Sequence, residues 1–280
     1  MLQLHDGTDL RVAAHAIGAL AREARNIEPA SPRIDSLKSK YVQWVDAVET
    51  RLRGIFLDPS TWERLYSERY WHIRDLGDAS LRPWDLIHRE METQASQLEA
   101  LTNKLDRYAE HLDAAPGIMA VLDTHVLLHF QRPESVDWRS FIDAADIRLV
   151  LPLRVVEELD EKKYGQRDDL AGRARGLLGG LRTLLAPTAG APVRIRDGVT
   201  VEVPVDDTPR RRLRDADQEI LNVCLDLKAV GRRVVLVTDD AGITLRAAAC
   251  KIEVVAMPEK YLRVASRADV GNAPDCGTLA

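Results

Sequence analysis

The chain has 280 residues, of which 45% are hydrophobic and 30% charged, and its formal net charge is -5. That length allows two ordinary domains with buried cores, whereas the absence of about 18 consecutive apolar residues argues against a membrane span. The three cysteines are far apart and odd in number, which argues against a disulfide framework or a paired zinc-ligand spacing. Because no signal-peptide pattern follows Met1, we expect a cytoplasmic protein.

Residues 1–115 are expected to form an all-α domain, since their apolar side chains recur at helical spacing. Prolines divide this half into four expected helices, the last of about 28 residues. The apolar faces that define two of these helices are Leu37, Tyr41, Trp44, Val48, Leu52 and Ile55, then Trp84, Ile87, Met91, Ala95, Leu98, Leu105, Tyr108 and Leu112. The second face has a near-heptad stripe, which indicates a possible homo-oligomer seam.

Residues 118–262 have a different pattern, in which short apolar strands alternate with helices after a breaker at Pro116 and Gly117. This order predicts an α/β fold with three layers, in which a mostly parallel sheet is covered on both faces. The expected strands are 118–122, 147–151, 199–203, 234–237 and 252–255, the third being weaker than the others. Residues 263–280 are expected to be a C-terminal tail.

Carboxylates follow these strands at four separate places in the chain. Asp123 comes directly after the first strand, and Glu158 lies in the acidic helix after the second. Asp217 opens the helix before the 234–237 strand, and Asp239 and Asp240 follow that strand. Because ligands of such sheets bind beyond the carboxyl ends of the strands, these acids are candidates for one site.

Helical geometry separates the candidates from their neighbours. Glu158 lies on the inner margin of its helix and Glu157 nearly opposite the apolar face. Asp217 falls on the buried stripe that continues with Ile220, an unfavourable position for an unpaired charge. Asp215 already suits the helix cap, so capping does not account for Asp217.

Each acid also has a structural interpretation of its own. Asp123 and Asp240 suit helix caps, Glu158 suits an ion pair with Lys162, and Asp217 suits a helix N-terminus. Together, however, the carboxylates would raise each other's pKa unless a positive group lay among them. A site with oxygen ligands only favours Mg²⁺ or Mn²⁺, as one or two ions.

The segments "VLDTHVLL", "LPLRVVEELD", "DADQEIL" and "VLVTDDAGITLRAAA" resemble, in this order, the PIN domain family of metal-dependent nucleases. The resemblance covers about residues 118–260 and leaves the helical half unmatched. It implies that Asp123, Glu158, Asp217 and Asp240 are the catalytic metal ligands. It also implies that Thr238 and Asp239 lie next to these ligands and support them. Between the two adjacent acids, the resemblance alone selects Asp240 as the ligand.

This resemblance leads us to expect an endoribonuclease that hydrolyses RNA with metal-activated water. Basic residues would guide the phosphates, although a solvated helix face is their usual role. The candidates are Lys162 and Arg173 on the helices after the second strand, and Arg210, Arg211, Arg212 and Arg214 ahead of Asp217. The last four lie in a long insertion, 187–214, that resembles the longer connections of larger PIN proteins, and we expect it to form a flap over the cleft.

Two other functions remain open at this point. One is a PIN-like scaffold that binds RNA or protein without cleaving it. The other is an aspartate-nucleophile phosphatase, which requires a second Asp two residues after the first. This chain has His125 at that position, which argues against the phosphatase.

Overall fold

The computed structural model describes residues 2–28, 33–77, 82–165, 168–188, 191–204 and 215–263. These residues form two compact units. The first comprises the described residues up to Met119 together with Leu221–Val234, and the second comprises the rest. No helix in these ranges is both long and apolar enough to cross a bilayer.

The first unit contains five helices before residue 115, one more than the sequence predicts. The additional helix arises because Pro59 and Ser67 each begin a short helix in a region expected to hold one. The helices are α1 (Leu10–Arg25), α2 (Ile34–Arg53), α3 (Ser60–Glu63), α4 (Glu68–Arg74) and α5 (Pro83–Asp113).

Helix α5 packs along α1 and also contacts α2 and α4. Its apolar stripe is largely buried within the chain, except that Trp84 and Tyr108 are half-buried. The face predicted on α2 is buried throughout. The near-heptad stripe of α5 therefore forms an intramolecular core, which removes the reason for expecting an oligomer seam there.

The second half of the chain is an α/β fold with a six-stranded, mostly parallel sheet in the order β3-β4-β2-β1-β5-β6. The strands are β1 (Ile118–Leu122), β2 (Ile147–Val150), β3 (Val193–Arg196), β4 (Val199–Glu202), β5 (Val234–Val237) and β6 (Glu253–Val255). The helices are α6 (Thr124–His129), α7 (Leu153–Lys162), α8 (Asp168–Leu185), α9 (Ala216–Ala229) and α10 (Ala241–Ala249). All four residues of β2 and of β5, and all five of β1, are buried, as expected for central parallel strands.

Strand β3 was not predicted, and it changes the interpretation of the 187–214 insertion. It pairs antiparallel with β4, which in turn pairs parallel with β2. Gly198 supplies the positive φ of +63° in the turn between β3 and β4, beside the Arg139 guanidinium. The described part of the insertion therefore extends the sheet and is not a flap.

A buried ion pair joins β2 to β4. Arg148 Nη2 lies 2.6 Å from Glu202 Oε2, and the two side chains are 0% and 2% exposed. Breaking a buried ion pair by removing one partner typically costs about 3–5 kcal/mol. We predict that Arg148→Met and Glu202→Leu each lower the free energy of unfolding by about that amount in urea titrations.

The double variant should lose less than the sum of the two single losses, because no lone charge remains buried. Arg194→Ala, which removes a largely exposed arginine of β3, is the control and should change stability little. Additive losses in the double variant would show that the two charges do not depend on each other.

Candidate active site

The site begins where β1 and β5 end side by side. The Asp123 N–H donates to the Val237 carbonyl at 3.2 Å, and the Thr238 N–H donates to the Val255 carbonyl of β6 at 3.3 Å. Asp123 and Thr238 are therefore the first residues beyond two adjacent strands. This is the edge of a parallel sheet at which ligands are expected.

The Thr238 hydroxyl links the two strand ends. Thr238 is 1% exposed, and its Oγ1 donates to Asp123 Oδ2 at 2.8 Å. The same Oγ1 accepts from the Asp240 N–H at 3.1 Å. The hydroxyl therefore fixes the Asp123 carboxylate and the backbone turn that presents Asp240.

Asp123 is a desolvated carboxylate, only 7% exposed. Burial raises its pKa, with a smaller contribution from the negative charge of Asp217. The Thr238 hydrogen bond and the amides of Thr124 and His125 oppose that rise in pKa. Asp123 occupies the N-cap position of α6, although its carboxylate makes no capping hydrogen bond of normal geometry there.

Glu158 reaches the site from α7, whose inner face is formed by Val155 and Leu159. Its Oε2 accepts a hydrogen bond from the Thr124 hydroxyl. Thr124 is 4% exposed and is the residue after Asp123, so this bond ties the α7 acid to the end of β1. Thr124 was not predicted as a site residue, although its position directly after a strand-end acid was a usable signal.

Asp217 lies in the first turn of α9, and the prediction that Asp215 caps this helix is confirmed. Asp215 Oδ1 accepts from the N–H groups of Asp217 at 3.1 Å and Gln218 at 3.4 Å, so Asp215 is the cap. The Asp217 side chain is 37% exposed and bonds to Arg246.

Arg246 is the main residue that the sequence analysis missed. Its Nη1 donates to Asp215 Oδ2 at 2.6 Å, and its Nη2 donates to Asp217 Oδ2. On α10 it neighbours the buried residues Ile243 and Ala247, which places it on the margin of the inner face. An arginine on that margin, in the helix that follows Asp239 and Asp240, was a sequence signal that it pairs with carboxylates.

Asp240 supplies the cap of α10. Its Oδ1 accepts from the N–H groups of Gly242 at 2.6 Å and Ile243 at 3.1 Å, while Asp239 is exposed. The sequence left open which of the two acids caps the helix, and the structure assigns this role to Asp240. Asp240, which the sequence predicts to be a metal ligand, therefore also caps α10 through its Oδ1.

The four acids act on one another electrostatically. Burial raises the pKa of Asp217, and Arg246 opposes that rise. The negative charges of Asp215, Asp240 and Glu158 raise it further, and Asp217 in turn raises the pKa of Asp123. Acids from four distant parts of the chain therefore share one electrostatic environment.

The chemistry of these donors suits a hard divalent cation, because all four candidates offer carboxylate oxygens and Asp123 is desolvated. Within the described ranges, however, no three His, Cys, Asp or Glu side chains are arranged so as to hold a metal ion. Their oxygens are instead directed to hydroxyl, amide and guanidinium donors. Arg246 is the group that supplies positive charge to Asp217 in this arrangement.

The candidate nucleic-acid residues fall into two groups. Arg210, Arg211, Arg212 and Arg214 lie outside the described residues, so their role stays a prediction. Lys162 is exposed on α7. Arg173 instead donates to the carbonyls of Leu127, at 3.3 Å, and Phe130, so part of its guanidinium is engaged at the end of α6.

A sequence model of the PIN domain family matches residues 120–258, and the N-terminal half has no match. The C-terminal half of the chain thus belongs to the PIN domain family, whose members are generally nucleases. No curated protein matches the chain. Among solved structures it is similar to a domain of a functionally unknown protein from Methanocaldococcus jannaschii DSM 2661, with 16% identity and a TM-score of 0.34 over 53% of this chain and 97% of that one.

We predict that Arg246→Met lowers the melting temperature in the presence of a chelator, because Asp215 and Asp217 lose their cation. Added Mn²⁺ should then raise the melting temperature of the variant more than that of the wild type, since no guanidinium competes for Asp217. Differential scanning calorimetry with and without Mn²⁺ measures both effects. The charge-matched control is Arg194→Met on β3, and equal Mn²⁺ shifts in all three proteins would contradict the prediction.

Proposed function

We propose that the PIN domain is a metal-dependent nuclease, an endoribonuclease that hydrolyses RNA phosphodiester bonds. The observation that carries this proposal is the meeting of acids at the carboxyl edge of the sheet, where the Thr238 hydroxyl contacts Asp123 and the backbone of Asp240, and Thr124 ties Glu158 to the end of β1. Like charges brought near one another are stabilised by a cation, and Mg²⁺ or Mn²⁺ suits carboxylate oxygens. The family match supports nuclease chemistry in general.

In this proposal Asp123, Glu158, Asp217 and Asp240 hold Mg²⁺ or Mn²⁺, directly or through water. The bound cation supplies Lewis acidity, which lowers the pKa of a water molecule and offsets negative charge on the phosphate. Thr238 and Thr124 orient the carboxylates of Asp123 and Glu158 through their hydroxyl groups. Any of the four carboxylates can accept the proton of the attacking water through a hydrogen-bonded path.

Nucleic-acid binding without cleavage is the second candidate function. It is favoured by Arg246, whose guanidinium is bonded to Asp217 at the place where a cation would act. The two candidates differ in how they respond to loss of Asp123. RNA binding that persists in Asp123→Asn, with no cleavage by the wild type in Mg²⁺ or Mn²⁺, would favour the binding function.

We predict that Asp217→Asn lowers the cleavage rate by at least about a hundredfold, because it removes a charged ligand while keeping the side-chain shape. The assay incubates wild type and variant with single-stranded and structured RNA and DNA, with and without Mn²⁺. Glu157→Gln is the matched control on α7, where Glu157 pairs with Arg154 at 3.7 Å. It should cleave as the wild type does, and full turnover by Asp217→Asn would remove Asp217 from the site.

We also predict that Thr238→Val lowers the cleavage rate by about 10–100-fold with little change in RNA affinity, because Asp123 loses its orienting hydroxyl. Thr238→Ser keeps that hydroxyl and should recover most of the rate. Single-turnover rates and RNA dissociation constants separate orientation from binding. If Ser and Val variants were equally slow, packing of the threonine methyl group would be the cause instead.

A further inference from the structure

Helix α6 connects the acidic edge of the sheet to a region of opposite charge. It starts directly after Asp123, and the backbone beyond its C-terminus pairs with the end of the described chain. The Gln131 N–H donates to the Tyr261 carbonyl at 2.9 Å, and the Arg263 N–H donates to the His129 carbonyl at 3.0 Å. This pairing fixes Arg263 at the C-terminal end of α6.

Two more arginines meet at that end. Arg173 of α8 donates to the carbonyls of Leu127 and Phe130, which places its guanidinium against the last turn of α6. Arg132 extends over the next turn of α8, where its Nη2 lies 3.4 Å from the position that a Cβ atom on Gly176 would take. Positions 173 and 176 share one face of α8, so Arg132 and Arg173 lie side by side.

The three guanidinium groups repel one another. Burial lowers the pKa of Arg173, and the positive charges of Arg263 and Arg132 lower it further, whereas Glu134 opposes them. Glu134 lies 3.8 Å from Arg132, whose side chain remains 52% exposed, and Arg263 is also exposed. Crowded exposed arginines are favourable where they meet an anion, and the guanidinium fork matches the geometry of a phosphate group.

Two imidazoles lie between these arginines and the acids. The rings of His125 and His129 stack along α6, with centroids 4.3 Å apart and an interplanar angle of 26°. His125 is exposed and is only two residues from Asp123. Stacked flat rings suit contact with the base or sugar of a strand whose phosphates reach the arginines.

We propose that His125, His129, Arg132, Arg173 and Arg263, the α6 basic surface, bind the sugar-phosphate backbone of a single nucleic-acid strand. The proposal rests on the proposed nuclease function, because it places the strand on one side of the bond that the acids cleave. A six-residue helix is about 9 Å long, so the arginines contact phosphates adjacent to the scissile one. Arg173 is held by carbonyls and orients the surface, while the exposed side chains of Arg132 and Arg263 contact phosphate from the solvent side.

The test measures binding separately from cleavage. Fluorescence anisotropy of labelled oligouridylate, and of oligothymidylate as the DNA arm, is followed with EDTA over a range of salt concentrations. Arg132→Gln and Arg263→Gln should each weaken binding. The negative slope of log K against log salt should become less steep by about 0.7, the value for one phosphate contact on a single strand. Equal losses in both arms indicate backbone recognition, and a larger loss with RNA indicates added contact with the 2′-hydroxyl.

Arg194→Gln, on β3, removes one exposed charge elsewhere and should leave the slope unchanged. Melting temperatures establish that all variants are folded. If the variants have less steep slopes than the wild type and the wild type cleaves nothing, the α6 basic surface is supported and the nuclease proposal is removed. Unchanged slopes with a wild type that cleaves would overturn the α6 basic surface and leave the nuclease proposal standing.

Discussion

The register between β1 and β5 determines the candidate site. The hydrogen bond from Asp123 to the Val237 carbonyl aligns the two strand ends, so that Thr238 comes next to Asp123 and can donate its hydroxyl. A slip of one residue would turn every side chain of either strand to the opposite face and separate this pair. Two further acids are attached to the same frame, Glu158 through Thr124 and Asp240 through the Thr238 hydroxyl, whereas Asp217 is held by Arg246 of α10.

Charge is separated along α6 in a way that matches the proposed substrate. Carboxylates gather at its N-terminal end and guanidinium groups at its C-terminal end. The partial positive charge of a helix N-terminus is too small to offset several carboxylates. Each cluster is unfavourable by itself. A phosphodiester strand with a divalent cation supplies both missing partners, since the cation offsets the acids and the phosphates offset the arginines. Arg246 meanwhile supplies positive charge to Asp217 within the protein itself.

Local patterns were sufficient to locate much of the fold. The predicted bounds of β1 and β5 agree with the structure, and Asp215 caps α9 as its spacing indicated. Strand β3 was missed because it is a four-residue edge strand in which two residues are half-buried and two are exposed, so its apolar pattern is short and weak. Arg246 and Thr124 carried a signal in their positions, but the sequence alone does not identify their partners, because tertiary packing selects them. Arg173 likewise donates to backbone carbonyls, a choice that depends on how α8 packs against α6.

The two outer strands of the sheet also bear on how the protein behaves in concentrated solution. Strand β3 is short and irregular, with a register shift and two exposed arginines, Arg194 and Arg196, while β6 at the other edge spans only three residues. Brief, bulged and charged edges resist the addition of a strand from a neighbouring molecule. Self-association through continuous sheets is therefore disfavoured, which helps to keep the protein dispersed.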